Sequence, residues 1–319
     1  MKAAVVTRFD RAPRFETFPL PVEIGAHEQV VPVVAAGLHP RVLSQANGSH
    51  YTSTDELPLV PGIDGVARTA DGELRYFVQS DSALGSMAEQ TVIDLRRSVV
   101  LPAGADPIRI AAAMNPAMSS WVALRRRIDL RPGQSVLVLG ATGNAGRLAI
   151  QVARHLGAGR VTAVGRGADR LAGLGADVTV ALDGPDERAV AAALAEAGRD
   201  VDVVLDYLWG EPTSSALRAI VPNRTDDDRL LSWIQIGSVA GADSAIPSAA
   251  LRATRLQLLG SGQGSVSTRD ILTELEALVA AVSGDAFALA VRAVPLEHVE
   301  QAWADAPTSG DRIVLTPGG

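Results

Sequence analysis

The chain has 319 residues, 47% hydrophobic, 20% charged and 4% aromatic, with a formal net charge of −7. That length exceeds one ordinary domain and predicts two, while the composition excludes collagen-like and disordered chains. The acidic balance supplies no drive toward nucleic acid or anionic membranes, so neither is an expected partner.

Residues 3–7 read as an edge strand and 29–36 as a short apolar strand, and Pro and Gly punctuate nearly every segment of the region before residue 116. From Ser135 the pattern changes. Strands are predicted at 136–139, 161–164, 177–180, 201–205 and 233–237, with helices over 144–155, 187–196 and 213–220 between them. Strand alternating with helix predicts a doubly wound parallel sheet. Beyond it come a short apolar run at 257–260, a helix carrying Ile271, Leu272, Leu275, Leu278, Val279 and Val282 on one stripe, and a closing strand at 312–315. The expected organisation is a first domain over 1–116, a doubly wound domain over 117–255, and a tail, 256–319, that returns to the first. The two charge runs, Arg125 to Arg127 and Asp226 to Asp228, read as solvated surface.

Missing residue types exclude whole chemistries. Cysteine is absent, which removes disulfides, thiolate nucleophiles and Cys-based zinc sites. The five histidines (His27, His39, His50, His155 and His298) show no pair at metal spacing, so no metal site is expected. Lysine occurs once, at Lys2, which rules out a Walker A motif and an internal Schiff base. Residues 1–10 lack the apolar run of a signal peptide, and nowhere do about 18 apolar residues follow one another. A cytoplasmic location is the expectation.

One turn carries a recognisable chemistry. The strand at 136–139 leads into Gly140-Ala141-Thr142-Gly143-Asn144-Ala145-Gly146 and then an amphipathic helix. A dinucleotide pyrophosphate requires a tight turn at the first glycine, an unobstructed approach of backbone N–H groups, and a small residue where helix meets strand. Gly140, Gly143 and Gly146 meet these needs. At the end of the next strand, NAD sites place a carboxylate for the ribose 2′-hydroxyl; here Gly165 is followed by Arg166, with Arg170 one helical turn on. Guanidinium groups pair with a 2′-phosphate, so NADP(H) is the expected cofactor.

Together with Met1-Lys2-Ala3-Ala4-Val5, Gly37-Leu38-His39-Pro40, the 57–65 segment ending Pro61-Gly62-Ile63-Asp64-Gly65, and Ile236-Gly237-Ser238-Val239-Ala240-Gly241, this turn resembles the zinc-independent quinone oxidoreductase branch of the medium-chain dehydrogenase/reductase superfamily. The resemblance implies a GroES-like, mostly β catalytic domain with an inserted Rossmann domain, a homodimer, and NADPH in the cleft between domains. The zinc branch has a Cys ligand and a Gly-His-Glu; this chain has no Cys, and Gly62-Ile63-Asp64 stands at the second place. The resemblance further implies Tyr51 as donor to the reduced substrate oxygen. It implies His39, where relatives often have Asn, as a residue that orients the nicotinamide or donates a proton, and Asn115 and Ser119 as residues facing the cleft. Gly237 and Ser238 would contact nicotinamide and ribose, with Gly260 and Ser261 covering them. Relatives often use Lys and Tyr on the adenosine phosphate; Arg170 replaces the first, and Leu182-Asp183 offers no Tyr.

The function implied is hydride transfer from NADPH to a small electrophilic acceptor, a quinone or α,β-unsaturated carbonyl. The alternatives are an enoyl reductase acting on thioesters and a catalytically silent NADPH-binding sensor or structural dimer.

Overall fold

The computed structural model describes residues 1–50, 52–79 and 82–318. The chain divides into two units, Met1–Asn115 with Leu275–Gly319, and Pro116–Glu274. The first unit begins with β1 (Lys2–Val5), β2 (Arg14–Thr17), β3 (Glu28–Leu38), α1 (Pro40–Ala46), β4 (Asp64–Arg68), β5 (Leu74–Val78), β6 (Gln90–Asp94) and β7 (Ser98–Val100). Helix α2 (Pro107–Val122) leads into β8 (Ser135–Leu139), α3 (Asn144–His155), β9 (Arg160–Gly165), α4 (Ala168–Ala172), β10 (Val178–Ala181) and α5 (Glu187–Gly198). Next come β11 (Val203–Asp206), α6 (Gly210–Ile220), β12 (Leu231–Gln235), α7 (Ala250–Ala253), β13 (Leu256–Gly260) and α8 (Thr268–Ser283). The chain closes with β14 (Val291–Pro295), α9 (Val299–Asp305) and β15 (Arg312–Thr316).

In the first unit, β1 and β2 pair antiparallel, and a larger sheet follows the path β14-β15-β3-β4-β5-β7 with β6 on β3. Strand β3 pairs with β6 over Glu28 to Pro32 and with β4 at Val33 and Ala35, where the register shifts. Such an irregularity lets one long strand change partners and bends the sheet. Ala3, Val33 and Leu38 share a buried cluster with Leu296, Val299, Ile313 and Leu315, so the returning tail completes the core begun by the N-terminal strands.

The second unit holds, among the described residues, six parallel strands in the order β10-β9-β8-β11-β12-β13. Val136, Leu137, Val138 and Leu139 are all buried, as a parallel strand covered on both faces requires. Helix α3 has the bounds its apolar stripe predicts, with Leu148, Ala149, Val152 and Ala153 buried on one side. In α5, the Asp186 carboxylate caps the N-terminus by accepting from the Ala189 N–H at 2.7 Å.

A mostly antiparallel unit and a doubly wound one are the GroES-like and Rossmann domains expected. Three features differ from the sequence reading. Leu256–Gly260 was expected in the returning tail, yet β13 pairs in parallel with β12 through five residues and extends the Rossmann sheet. The stretch before residue 116 also contains helices, α1 with Pro40 at its start, where a missing N–H costs nothing, and α2, which runs through Pro116. Finally, Arg125 and Arg126 are not merely solvated: their Nε atoms lie 2.6 and 2.7 Å from the buried Glu274 carboxylate, which also accepts from Trp121 Nε1 at 2.8 Å.

Candidate active site

In the second unit the strand order reverses direction between β8 and β11: β9 and β10 lie on one side and β12 and β13 on the other. Loops leaving the carboxyl ends of strands on either side of such a point diverge and open a crevice. Gly140, directly after β8, has φ +96°, a conformation that favours glycine. Its N–H donates to the Val164 carbonyl at 2.8 Å. Gly146 is held to glycine for another reason: a Cβ there would stand 2.3 Å from the Gly140 carbonyl oxygen and 2.7 Å from Ala141 Cα. Turn and helix are therefore in backbone contact. Around Gly143 the space is open, since a Cβ would meet only the Gly140 oxygen, at 3.6 Å. Asn144, Ala145 and Gly146 form the first turn of α3, whose N–H groups lack partners within the helix and carry its positive dipole end. This cradle fits a pyrophosphate. Thr142 reaches across to the end of β9, where a Cβ on Gly165 would lie 3.1 Å from both its branches.

Beyond Gly165, Arg166 and Arg170 are exposed. Arg170 folds back over the turn, its Nη2 donating to the Arg166 carbonyl at 3.0 Å. The Gly167 N–H, at φ +81°, donates to both oxygens of Asp183 at 3.0 Å.

On the other side of the crevice, Asp206 ends β11 and is fully buried. Its Oδ1 accepts from the N–H groups of Leu208 and Trp209 at 2.9 Å, and its Oδ2 from Thr213 Oγ1 at 2.5 Å and Trp233 Nε1 at 2.9 Å. Four donors satisfy this carboxylate and fix the following turn, which includes Trp209 at φ 55°. Tyr207, next in the chain, is within 2.9 Å of the Ser119 hydroxyl. Ser119 donates its single proton to the Pro116 carbonyl at 2.7 Å, so the Tyr207 hydroxyl is the donor between them. Burial pushes the Tyr207 phenol up to about 12, against the opposing bonds to Ser119 and Ser120. The backbone of Gly237 packs on the same turn: a Cβ there would be 2.8 Å from the Tyr207 carbonyl oxygen. Ser238 beside it is exposed, and the Ser261 N–H bonds the Gln235 carbonyl at 2.8 Å, tying the end of β13 to that of β12. A cavity of about 310 Å³ opens beside these ends, lined by Trp209, Trp233, Gln235, Leu258 and Gly260 among others.

The structure thus gathers Gly140, Thr142, Gly143, Asn144, Ala145, Gly146, Gly165, Arg166, Arg170, Gly237, Ser238, Gly260 and Ser261 at the carboxyl end of one sheet, with Ser119 joined through Tyr207. Sequence reading missed Asp206 and Tyr207; the signal was present, since a polar pair ends the apolar strand at the same edge as Gly140.

His39 and Asn115 belong to the first unit, and Tyr51 lies outside the described residues. Asn115 is half-buried on α2. His39 is buried just before α1, its Nε2 3.1 Å from Asp64 Oδ1, while Tyr76 donates to Asp64 Oδ2 at 2.7 Å. A carboxylate only accepts, so Nε2 carries the proton. That leaves Nδ1 as an acceptor, buried and without a hydrogen-bond partner among the described residues. Burial lowers the His39 pKa below its usual value, and the Asp64 bond opposes the shift only in part. Arg312, also buried, donates to the Ala112 carbonyl at 3.3 Å, and burial brings its guanidinium down to about 10. The neutral imidazole has its one proton committed to Asp64, a geometry suited to holding a group in place rather than to giving up a proton. Among the described residues no group of three or more His, Asp or Glu side chains stands at metal-binding geometry, and no helix is long and apolar enough to cross a membrane.

No protein-family model matches the chain. It is 31% identical to a probable NADPH-dependent quinone reductase, tdiC, of Emericella nidulans over an alignment covering 99% of this chain and 100% of that protein. It is 30% identical to the chloroplastic NADPH-dependent alkenal/one oxidoreductase of Arabidopsis thaliana across 50% of this chain and 46% of that one. Among solved structures it is similar to the quinone oxidoreductase of Thermus thermophilus, described with its NADPH complex, with a TM-score of 0.80, 26% identity and coverage of 99% and 100% of the two chains.

Proposed function

We propose a function for this chain on one premise: it belongs to the zinc-independent quinone oxidoreductase branch of the medium-chain dehydrogenase/reductase superfamily. The function is NADPH-dependent reduction of a quinone or α,β-unsaturated carbonyl. The observation that carries it is the open glycine cradle of Gly140, Gly143 and Gly146 at the sheet's switch point, with Arg166 and Arg170 at the end of the adjacent strand.

The first-turn N–H groups of α3 hold the pyrophosphate, and Arg166 with Arg170 hold the 2′-phosphate as charge-assisted donors. Gly237, Ser238, Gly260 and Ser261 border the ribose and nicotinamide end. When bound, NADPH supplies a hydride from its nicotinamide C4. The acceptor gains that hydride and one proton, and the negative charge that develops on its oxygen needs a positioned donor. We assign that donor role to Tyr51 and an orienting role to His39 and Asn115. A conjugated acceptor spreads the developing charge, which suits a site without lysine or cysteine. Asp64, standing where the zinc branch has its Gly-His-Glu, spends its carboxylate on His39 and Tyr76, which supports chemistry without a metal.

The reading extends to a homodimer and to the cytoplasm. The absence of cysteine supports the second. The first is supported by β13, whose outer edge has no strand partner among the described residues and whose Leu256, Leu258 and Leu259 are only half-buried. Light scattering at micromolar concentration tests the dimer. The function is tested by NADPH consumption with a panel of quinones and enones, repeated with NADH and with a chelator. Chelator-insensitive, NADPH-selective turnover supports the reading, and binding of NADPH with no turnover across the panel replaces it with a silent binding protein.

A further inference from the structure

The end of β9 carries an acid as well as its two bases. Asp183 is two residues beyond β10, the strand hydrogen-bonded to β9, and this pairing brings it beside the turn at residues 165–167. Both its oxygens are 3.0 Å from the Gly167 N–H. Arg170 Nε lies so close to that glycine that a Cβ on Gly167 would be 2.8 Å away, and the same guanidinium bonds the Arg166 carbonyl. The turn proposed to hold the 2′-phosphate is therefore already bonded to an anion of the chain's own.

We propose that Asp183 is a specificity-setting residue that weakens the hold of Arg166 and Arg170 on the 2′-phosphate and so narrows the preference for NADPH over NADH. The inference rests on the NADPH reading of the site. The Gly167 N–H, followed by the positive charges of Arg170 and Arg166, keeps the Asp183 carboxyl below its ordinary range, so it is ionised throughout the neutral range. A phosphate held by the two arginines then faces a permanent like charge across a turn of three residues. NADH lacks that phosphate and meets no such penalty. Because Asp183 is exposed, solvent and salt screen the repulsion, with a Debye length of about 8 Å at physiological ionic strength. The effect is modest and salt-dependent.

The test is a binding measurement, by calorimetry or quenching of intrinsic fluorescence, with NADPH, NADH, 2′,5′-ADP and 5′-AMP on the wild type, Asp183→Asn and Arg166→Ala. Asn keeps an oxygen for the Gly167 N–H and removes only the charge. The expected result is a gain of about two- to fivefold in affinity for NADPH and 2′,5′-ADP at low salt, in the range of exposed charge pairs. That gain shrinks as salt is raised, with NADH and 5′-AMP unchanged. Equal changes for all four ligands would show that Asp183 acts only through turn geometry, and no change in any of them would remove it altogether; either result overturns the proposal. Selective loss of NADH binding would overturn it too, by making Asp183 a ribose ligand. If the wild type does not discriminate NADPH from NADH and Arg166→Ala changes nothing, the underlying 2′-phosphate reading has failed and takes the proposal with it.

Discussion

His39 Nε2 lies 3.1 Å from Oδ1 of Asp64, and both side chains are almost completely removed from solvent. Backbone pairing produces this contact from residues far apart in sequence. Tyr76 stands opposite Val66, two residues along from Asp64 on the same face, and reaches the other carboxylate oxygen. Ile313 pairs with Leu38, which brings Arg312 beside His39. The result is one buried polar group of imidazole, carboxylate, phenol and guanidinium.

A pH dependence of stability follows. His39 is held below its usual pKa of 6.5 in the folded chain, whereas in the unfolded chain it titrates normally. The unfolded state therefore binds the extra proton as pH falls below about 6.5, and stability declines from there down to the folded value. Thermal melts from pH 8 to pH 5 should show this decline, and His39→Asn should flatten it near pH 6 while leaving the carboxylate transition below about pH 4 in place. Identical slopes in wild type and variant would remove His39 as the titrating group.

Gly146→Ala places a methyl group 2.3 Å from the Gly140 carbonyl oxygen. Backbone on both sides leaves little room for relief, so the variant should lose about 1–3 kcal/mol of stability, as overpacked sites do. It should also lose NADPH affinity, because the cradle must shift. Chemical denaturation and cofactor titration measure the two effects. A variant as stable and as tightly binding as the wild type would show that turn and helix are not in the contact described.

Arg166→Ala should raise KM for NADPH by about tenfold or more, the cost of one charge-assisted phosphate contact, with NADH little affected. Steady-state kinetics with both cofactors reads this directly. Equal losses would mean that the arginine supports the turn rather than the phosphate.

Glu274→Ala removes a buried acceptor from Trp121, Arg125 and Arg126 at once. The arginines regain water, but Trp121 Nε1 is left buried without its partner, at a cost of about 1–3 kcal/mol. Urea denaturation is the measurement, and Glu274→Gln should recover part of the loss by keeping an acceptor for the indole. A midpoint unchanged in both variants would reduce these contacts to surface decoration.

The Rossmann half was legible because its signals are local. Continuous apolar strands such as 136–139, the glycine turn and the stripe of α3 each announce themselves within a dozen residues. What escaped depends on distant partners. Leu256–Gly260 is a short run of half-buried leucines between exposed positions, a pattern that fits an edge strand of either unit, and only its pairing with β12 decides. The run Arg125 to Arg127 looks like a solvated face until α8 brings Glu274 to it. Helix α2 went unread, and it continues through Pro116, a residue that ordinarily kinks or ends a helix. At the site, the glycines and Arg166 could be read from spacing and strand position. Asp206 and Tyr207 had a local sign, the polar pair that ends an apolar strand, but what they bond is set by the turn after β11; the partnership of His39 with Asp64 is set by sheet register, which has no short-range signature.

The central claim is hydride transfer from bound NADPH to a conjugated acceptor. Its most direct test is to supply, in two parallel reactions with a cyclic enone, NADPH carrying deuterium at one or at the other face of nicotinamide C4, and to analyse each product by mass spectrometry and NMR. The account predicts a saturated ketone with a single deuterium on the former β-carbon, transferred from one C4 face only. A saturated product without deuterium in both reactions, or no product while NADPH remains bound and unoxidised, would contradict it.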